Sequence, residues 1–128
     1  MRLGVIGSRS FDNYSLLCVT LNQYLETTQK VVSGGARGAD RMGVHWAQSN
    51  DIPYEEFLPD YEQYGKQAPF IRNKDIVNNS DLVVAFWDGK SAGTKHSLNY
   101  AKIRGVKSVV IRFTNVSTQD KGLNLWQL

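Results

Sequence analysis

Three short stretches of this chain place glycine, hydroxyl and guanidinium groups side by side. They are Gly7-Ser8-Arg9-Ser10-Phe11, Ser33-Gly34-Gly35-Ala36-Arg37-Gly38-Ala39-Asp40 and Trp87-Asp88-Gly89-Lys90-Ser91-Ala92-Gly93-Thr94. Glycine lets the backbone turn through positive φ and come close to a ligand, so that successive N–H groups face one concavity. Ser8, Ser33, Ser91 and Thr94 add hydroxyl donors, and Arg9 or Arg37 can hold phosphate oxygens in a bidentate grip. Asp40 and Asp88 bind phosphate poorly and suit ribose hydroxyls or the amino edge of a base, on which Phe11 and Trp87 could stack. The chemistry these types point to is recognition of a phosphate-bearing, nucleotide-derived small molecule.

Each feature also has a plainer explanation. A Gly-Gly pair makes a tight turn, Asp40 answers a helix dipole, Trp87 packs into a core and Lys90 is a solvated loop lysine. Three loops of one vocabulary at one sheet edge argue against taking them singly. Neither the Walker pattern nor Gly-x-Gly-x-x-Gly occurs, so the chain is no ordinary kinase, GTPase or dehydrogenase.

The elements that must carry these loops follow from the hydrophobic pattern. Leu3 to Ile6, Val31-Val32, Pro53 to Phe57, Asp81 to Phe86 and Val109 to Ile111 read as five strands, the third weakened by Glu55 and Glu56. Strands apolar on both faces belong in a parallel sheet. Helices alternate with them: one capped by Asp12 or Asn13 and striped by Leu17, Leu21 and Leu25, and one with Ala39, Met42 and Trp46 on a face. A long connection rich in tyrosine and proline leads to a helix over Phe70 to Asn78. The last spans Thr94 to Arg104, with Leu98 and Ala101 inward and Gly105 as its left-handed cap. The expected fold is therefore α/β, a Rossmann-like three-layer domain with a mostly parallel five-stranded sheet and right-handed crossovers. It occupies residues 1–112, and 113–128 form a tail whose Leu123, Leu125 and Trp126 are expected to dock on the core or on a second subunit.

Composition narrows the class. The 128 residues suffice for one domain with a real core, and 41% hydrophobic with 21% charged is ordinary for a globular protein. The net charge of +3 is mild and its lysines (Lys66, Lys74, Lys102, Lys107) are dispersed, so nucleic acid is not the expected partner. Cys18 is the lone cysteine, which precludes an internal disulfide and suggests a buried thiol. His45, His96 and the aspartates lack ligand spacing, so neither a metal nor a cofactor is expected. Without a signal peptide or a membrane span, the cytoplasm is the expected compartment, the host's if the chain is phage-encoded.

The three loops, together with Ile71-Arg72-Asn73 and the run Phe86 to His96, resemble the small SLOG proteins related to YspA and YpsA, over residues 1 to about 112. The resemblance implies a Rossmann-like fold and binding of nucleotides or nucleotide-derived molecules, ADP-ribose derivatives among them. It brings Arg72 and Asn73 into the candidate site. It also implies a homodimer or higher homo-oligomer, a place in phage or bacterial genomes, and for several relatives the sensing of signalling nucleotides in antiviral defence.

A related branch, the LOG-type phosphoribohydrolases, carries Pro-Gly-Gly-x-Gly-Thr-x-x-Glu with a working glutamate. Aligning Gly93-Thr94 on that motif places Ser97 at the glutamate's position, which weighs against a hydrolase. If the chain were an enzyme, Asp40, Asp88 and His96 would be its catalytic candidates, with Asp60 behind them. The leading expectation is a binding protein that senses or sequesters its ligand. The alternatives are a nucleotide-processing hydrolase cleaving an N-glycosidic or phosphoester bond and, behind it, nucleic-acid binding of the DprA type.

Overall fold

A computed structural model describes residues 1–114. The elements run β1 (Arg2–Gly7), α1 (Tyr14–Asn22), β2 (Lys30–Ser33), α2 (Ala39–Ser49), β3 (Tyr54–Glu56), α3 (Tyr61–Tyr64), a 3₁₀ turn (Gly65–Gln67), α4 (Ala68–Asn78), β4 (Leu82–Trp87), α5 (Ala92–Arg104) and β5 (Lys107–Arg112). The sheet order is β3-β2-β1-β4-β5 and every neighbouring pair is parallel. All five carboxyl ends therefore lie along one edge, with Gly7 opposite Phe86, Ser33 opposite Glu56 and Trp87 opposite Arg112.

Alternation along each strand divides the core into two layers. Leu3, Val5, Val31, Val84 and Phe86 pack with Leu17 and Leu21 of α1 and Trp46 of α2 on one face. Ile6, Val32, Val83 and Ala85 pack with Ile76 and Val77 of α4 and Ala101 of α5 on the other. Each fully buried valine, leucine, isoleucine or phenylalanine among them contributes about 1.5–3 kcal/mol. The central strands β1 and β4 are buried almost throughout, as the continuous apolar runs require. The edge strands tolerate polar residues: Glu55 in β3 pairs with Lys30 at 2.6 Å, so the glutamates mark an edge. Among the described residues no helix is long and apolar enough to cross a membrane.

The expected elements are present, with local differences. Asn13 is the cap of α1, its Oδ1 accepting from Leu16 N at 3.0 Å, and Gly105 takes the left-handed conformation after α5. The stripe of α1 fails at Leu25, which is exposed beyond the helix end. Thr27 and Thr28 return their hydroxyls to Tyr24 O at 3.2 and 2.7 Å, and this local bonding favours turns over another helical turn. Cys18 is only half-buried, at the margin of the core, because the helix turns Leu17 and Leu21 inward instead. The long connection holds α3, capped by Asp60 Oδ1 accepting from Gln63 N, and the 3₁₀ turn, too short to show in an apolar period. The docking expected of Leu123, Leu125 and Trp126 lies outside the described residues.

Gly43 marks the tightest approach of α2 to the sheet. A Cβ there would lie 2.6 Å from Val5 Cγ1 and 2.7 Å from its Cβ, and Val5 is fully buried and stiff at χ1. In a free helix Gly→Ala stabilises by about 1 kcal/mol, but overpacking here costs about 1–3 kcal/mol. Gly43→Ala is therefore expected to lower the unfolding free energy in urea titrations; a gain in stability would show that α2 is loosely seated.

Candidate functional site

Where the sheet order reverses, the chain leaves β1 towards α1 on one face and leaves β4 towards α5 on the other. The loops diverge and leave a crevice at the carboxyl edge, where open α/β sheets place ligands. Two glycines allow the loops to close up around it. A Cβ on Gly7 would run into the Phe86 carbonyl and the Ala39 side chain, and one on Gly38 (φ +89°) would meet Ser8 O at 2.5 Å and Arg9 O at 2.7 Å.

The loop after β4 is clamped by its own aspartate. Asp88 Oδ1 accepts from Lys90 N and Ser91 N, both at 2.8 Å, and from Ser91 Oγ at 3.0 Å. The amides of Ser91 and Lys90 hold its carboxyl down to about 2. Ser8 Oγ accepts from Asp88 N at 3.1 Å and lies 2.9 Å from Ser91 Oγ, which ties this loop to the one after β1. The clamp sets Ser91 as the N-cap of α5, whose first backbone bond runs from Lys95 N to Ser91 O. The amides of Ala92, Gly93 and Thr94 precede that bond and have no partner within the helix, an opening suited to an anion.

The loop after β2 is organised differently. Asp40 is 5% exposed. It draws on the amides of Ala36 (3.4 Å to Oδ2), Gly34 and Gly7, and Arg72 stands near it. Burial pushes its carboxyl up to about 7 against the pull of Arg72 and these amides. The glycine loop thus turns the amides of Gly34 and Ala36 onto the protein's own carboxyl group. Ser33, fully buried, lies within hydrogen-bond distance of Val5 O (3.0 Å) and Asp40 O (3.2 Å) as a strut.

From α4, Arg72 donates to Gly34 O at 2.6 Å and to Asn73 Oδ1 at 3.0 Å. Asn73 Nδ2 lies 3.4 Å from both Gly93 O and His96 Nδ1, bridging α4 to α5. Burial, with Lys74 adding, lowers the pKa of His96, whose ring meets Phe70 edge-on at 4.9 Å.

Together these enclose a cleft of about 530 Å³, within the usual range for small-molecule sites. Gly7, Ser8, Arg9, Ser10, Ala36, Arg37, Asp40, Arg72, Asn73, Ser91, Gly93 and Thr94, all expected from the sequence, line it. Ile6, Pro69, Phe70, Ile76, Ala92 and Ser97 line it as well and were not among the expected binding residues. Pro69, Arg72, Asn73 and Ile76 follow the i, i+3, i+4, i+7 spacing of one helix face, the signal that could have extended the Arg72-Asn73 pair.

Other expected residues lie elsewhere. Phe11 is 2% exposed, stacked on Phe86 at 4.8 Å and against Phe113 at 4.9 Å, because the turn from Phe11 N to Ser8 O folds it into the core. Trp87 gives its Nε1 to Ser91 O and its ring to Arg112; Gly89 abuts Arg112 and Lys90 points to solvent. Ser33, Gly34, Gly38 and Asp88 serve as supports, and Gly35 borders an adjoining groove. The aromatic ring facing the cleft is Phe70, 41% exposed. Asp88 is bonded within its own loop, while Asp40, beside Arg72, and His96, at Asn73, lie along one network on the other side of the cleft.

Comparison with known proteins follows the same lines. The family model for YAcAr, the YspA, cpYpsA-related SLOG family, matches residues 1–64, half of the chain. Gene 61 protein of Mycobacterium phage D29 is 37% identical over 82 residues, 59% of this chain and 66% of its own length. DNA processing protein A from Streptococcus pneumoniae superposes with a TM-score of 0.74 at 18% identity, covering 98% of this chain and 56% of that one. DNA processing protein A from Helicobacter pylori, described for its single-stranded DNA binding mode, superposes with a TM-score of 0.68 at 22% identity, over 99% and 73%. The chain thus spans just under two thirds of the phage relative and little more than half of the pneumococcal protein. At these identities the two structures show a shared fold.

The buried Asp40 generates a pH test. Its folded pKa is raised, so the folded protein keeps a proton that the unfolded chain releases near pH 4. That contribution is complete below about pH 4 and is lost as pH rises through about 7. Unfolding free energy is expected to fall across this window by a few kcal/mol more in the native chain than in Asp40→Asn, which carries no charge at any pH. Parallel profiles from urea titrations would remove Asp40 as the cause.

Proposed function

The chain belongs to the YspA, cpYpsA-related SLOG family, and on that premise we propose that it binds a phosphate-bearing, nucleotide-derived small molecule in this cleft. The ligand is held intact, to be sensed or withdrawn from solution. An ADP-ribose-type signal is within its reach, and phage or bacterial defence signalling is a setting consistent with the phage relative.

The observation that carries the reading is that the α5 amides without a helical partner and the exposed Arg9 side chain line the same cleft. A phosphate seated at Ala92-Gly93-Thr94 gains backbone donors and the helix dipole, with a guanidinium in reach. Phe70 offers a face for a base, and Asn73 and Ser10 are polar groups for a sugar. Holding is favoured over cleaving by the carboxylates: Asp88 is turned into its own loop, and Ser97 occupies a wall where a carboxylate would be needed. Single-stranded nucleic acid is the second reading, supported by the fold neighbours and the arginines at the cleft mouth. It differs in requiring binding that weakens steeply with salt.

The test is to mix the protein with adenosine 5′-monophosphate and ADP-ribose, remove free ligand, heat, and identify the released molecule by mass spectrometry. The expected product is an intact nucleotide; a cleaved one would make the protein an enzyme. Arg9 is exposed, with no hydrogen bond or ion pair to its side chain among the described residues. Arg9→Ala is therefore expected to weaken binding about 10- to 100-fold, the worth of a charge-assisted contact, with an unchanged melting temperature.

A further inference from the structure

A groove of about 510 Å³ adjoins the cleft and shares Arg9, Ala36, Arg37 and Arg72 with it. Its far side is Arg41, Leu58, Pro59 and Tyr61. Among the described residues, the guanidiniums of Arg9, Arg37 and Arg41 have no hydrogen-bond or ion-pair partner. Of the other arginines, Arg72 in the same groove is held by Gly34 and Asn73, Arg2 pairs with Asp81 and Arg112 with the Trp87 ring, and Arg104 lies exposed near the end of α5. Like charges gathered around one concavity repel, and an anion relieves that repulsion. A single phosphate at the start of α5 answers Arg9 and leaves the far side of the groove, at Arg41, unneutralised. Tyr61, 58% exposed, presents a ring there, and the Glu56 carboxylate lies near Gly35 at the rim, an acceptor for a sugar hydroxyl or base amino group.

We infer that the ligand is built of two nucleoside phosphate units joined by a phosphodiester, one in the cleft and the second in the arginine groove. The inference rests on the proposed small-molecule function. The shared strip of Arg9, Ala36 and Arg37 is the waist the linking phosphate crosses. Arg41 then takes the second charge, and Tyr61 stacks on the second base. Each compartment is of a size for one such unit.

Isothermal titration of the full chain with adenosine 5′-monophosphate, the dinucleotide pApA and the tetranucleotide pApApApA tests this directly. The dinucleotide is expected to bind at least about tenfold more tightly than the mononucleotide. The tetranucleotide should bind within a factor of about three of the dinucleotide. Arg41→Ala and Tyr61→Ala, both surface changes, are expected to bring pApA down to the mononucleotide's affinity while leaving mononucleotide binding and thermal melting unchanged. Equal binding of mono- and dinucleotide would overturn the inference and leave the proposed function standing. Affinity that climbs with each added nucleotide would replace it by a nucleic-acid track. Failure of every nucleotide to bind would overturn both readings.

Discussion

A buried carboxylate organises this protein's carboxyl edge. Asp40 stands at the start of α2, draws amides from the loops after β1 and β2, and faces Arg72 from α4. Taking a carboxyl group out of water costs several kcal/mol unless hydrogen bonds and opposite charge offset it. Here both are supplied by segments far apart in sequence. The same contacts that make Asp40 tolerable hold two loops and a helix in one arrangement. Arg72, in turn, is fixed by Gly34 and by Asn73, which reaches across to Gly93 and His96 on α5. One network therefore runs around the cleft from β2 to α5.

The two aspartates of the glycine loops show how environment divides like groups. Asp88, near the surface, accepts two short amide bonds and a hydroxyl, and its charged form is favoured. Asp40 also receives amides but is nearly closed off from water, and desolvation dominates. Neither is left aimed at a ligand as an unengaged base. The consequence is a separation of tasks: carboxylates shape the loops, while the α5 amides and the arginines at the cleft mouth are left to meet an anion.

The likeness to the DNA processing proteins is one of fold, at 18% and 22% identity, and under the proposed function recognition falls to the loops at the carboxyl edge. The parallel sheet delivers three loops to one edge whatever their sequence. What they bind depends on which amides remain unspent and which guanidiniums remain unpaired. In this chain the loop after β2 has turned the amides of Gly34 and Ala36 onto Asp40, and the first amides of α5 have no partner within the helix.

The amino-acid sequence alone determined the parts governed by short-range periodicity and steric limits. Continuous apolar runs at β1 and β4 require burial on both faces. Asn13 caps because its side chain reaches an amide three residues on, and Gly105 accepts a left-handed turn that a Cβ would resist. The loop motifs, with Arg72 and Asn73 added by resemblance, marked most of the residues that line the cleft. Tertiary structure alone decided which way each side chain turned. Phe11 and Trp87 carry the right chemistry for a base, yet ring packing on Phe86 and the contact with Arg112 claimed them. Phe70 took the cleft because α4 packs on α5, a juxtaposition no local pattern contains. Asp40 lines the cleft and is also a strut, since its partners lie on β1, the loop after β2 and α4. Hydrogen bonds and packing across tens of residues choose between core and cleft, and that choice exists only once the chain has folded.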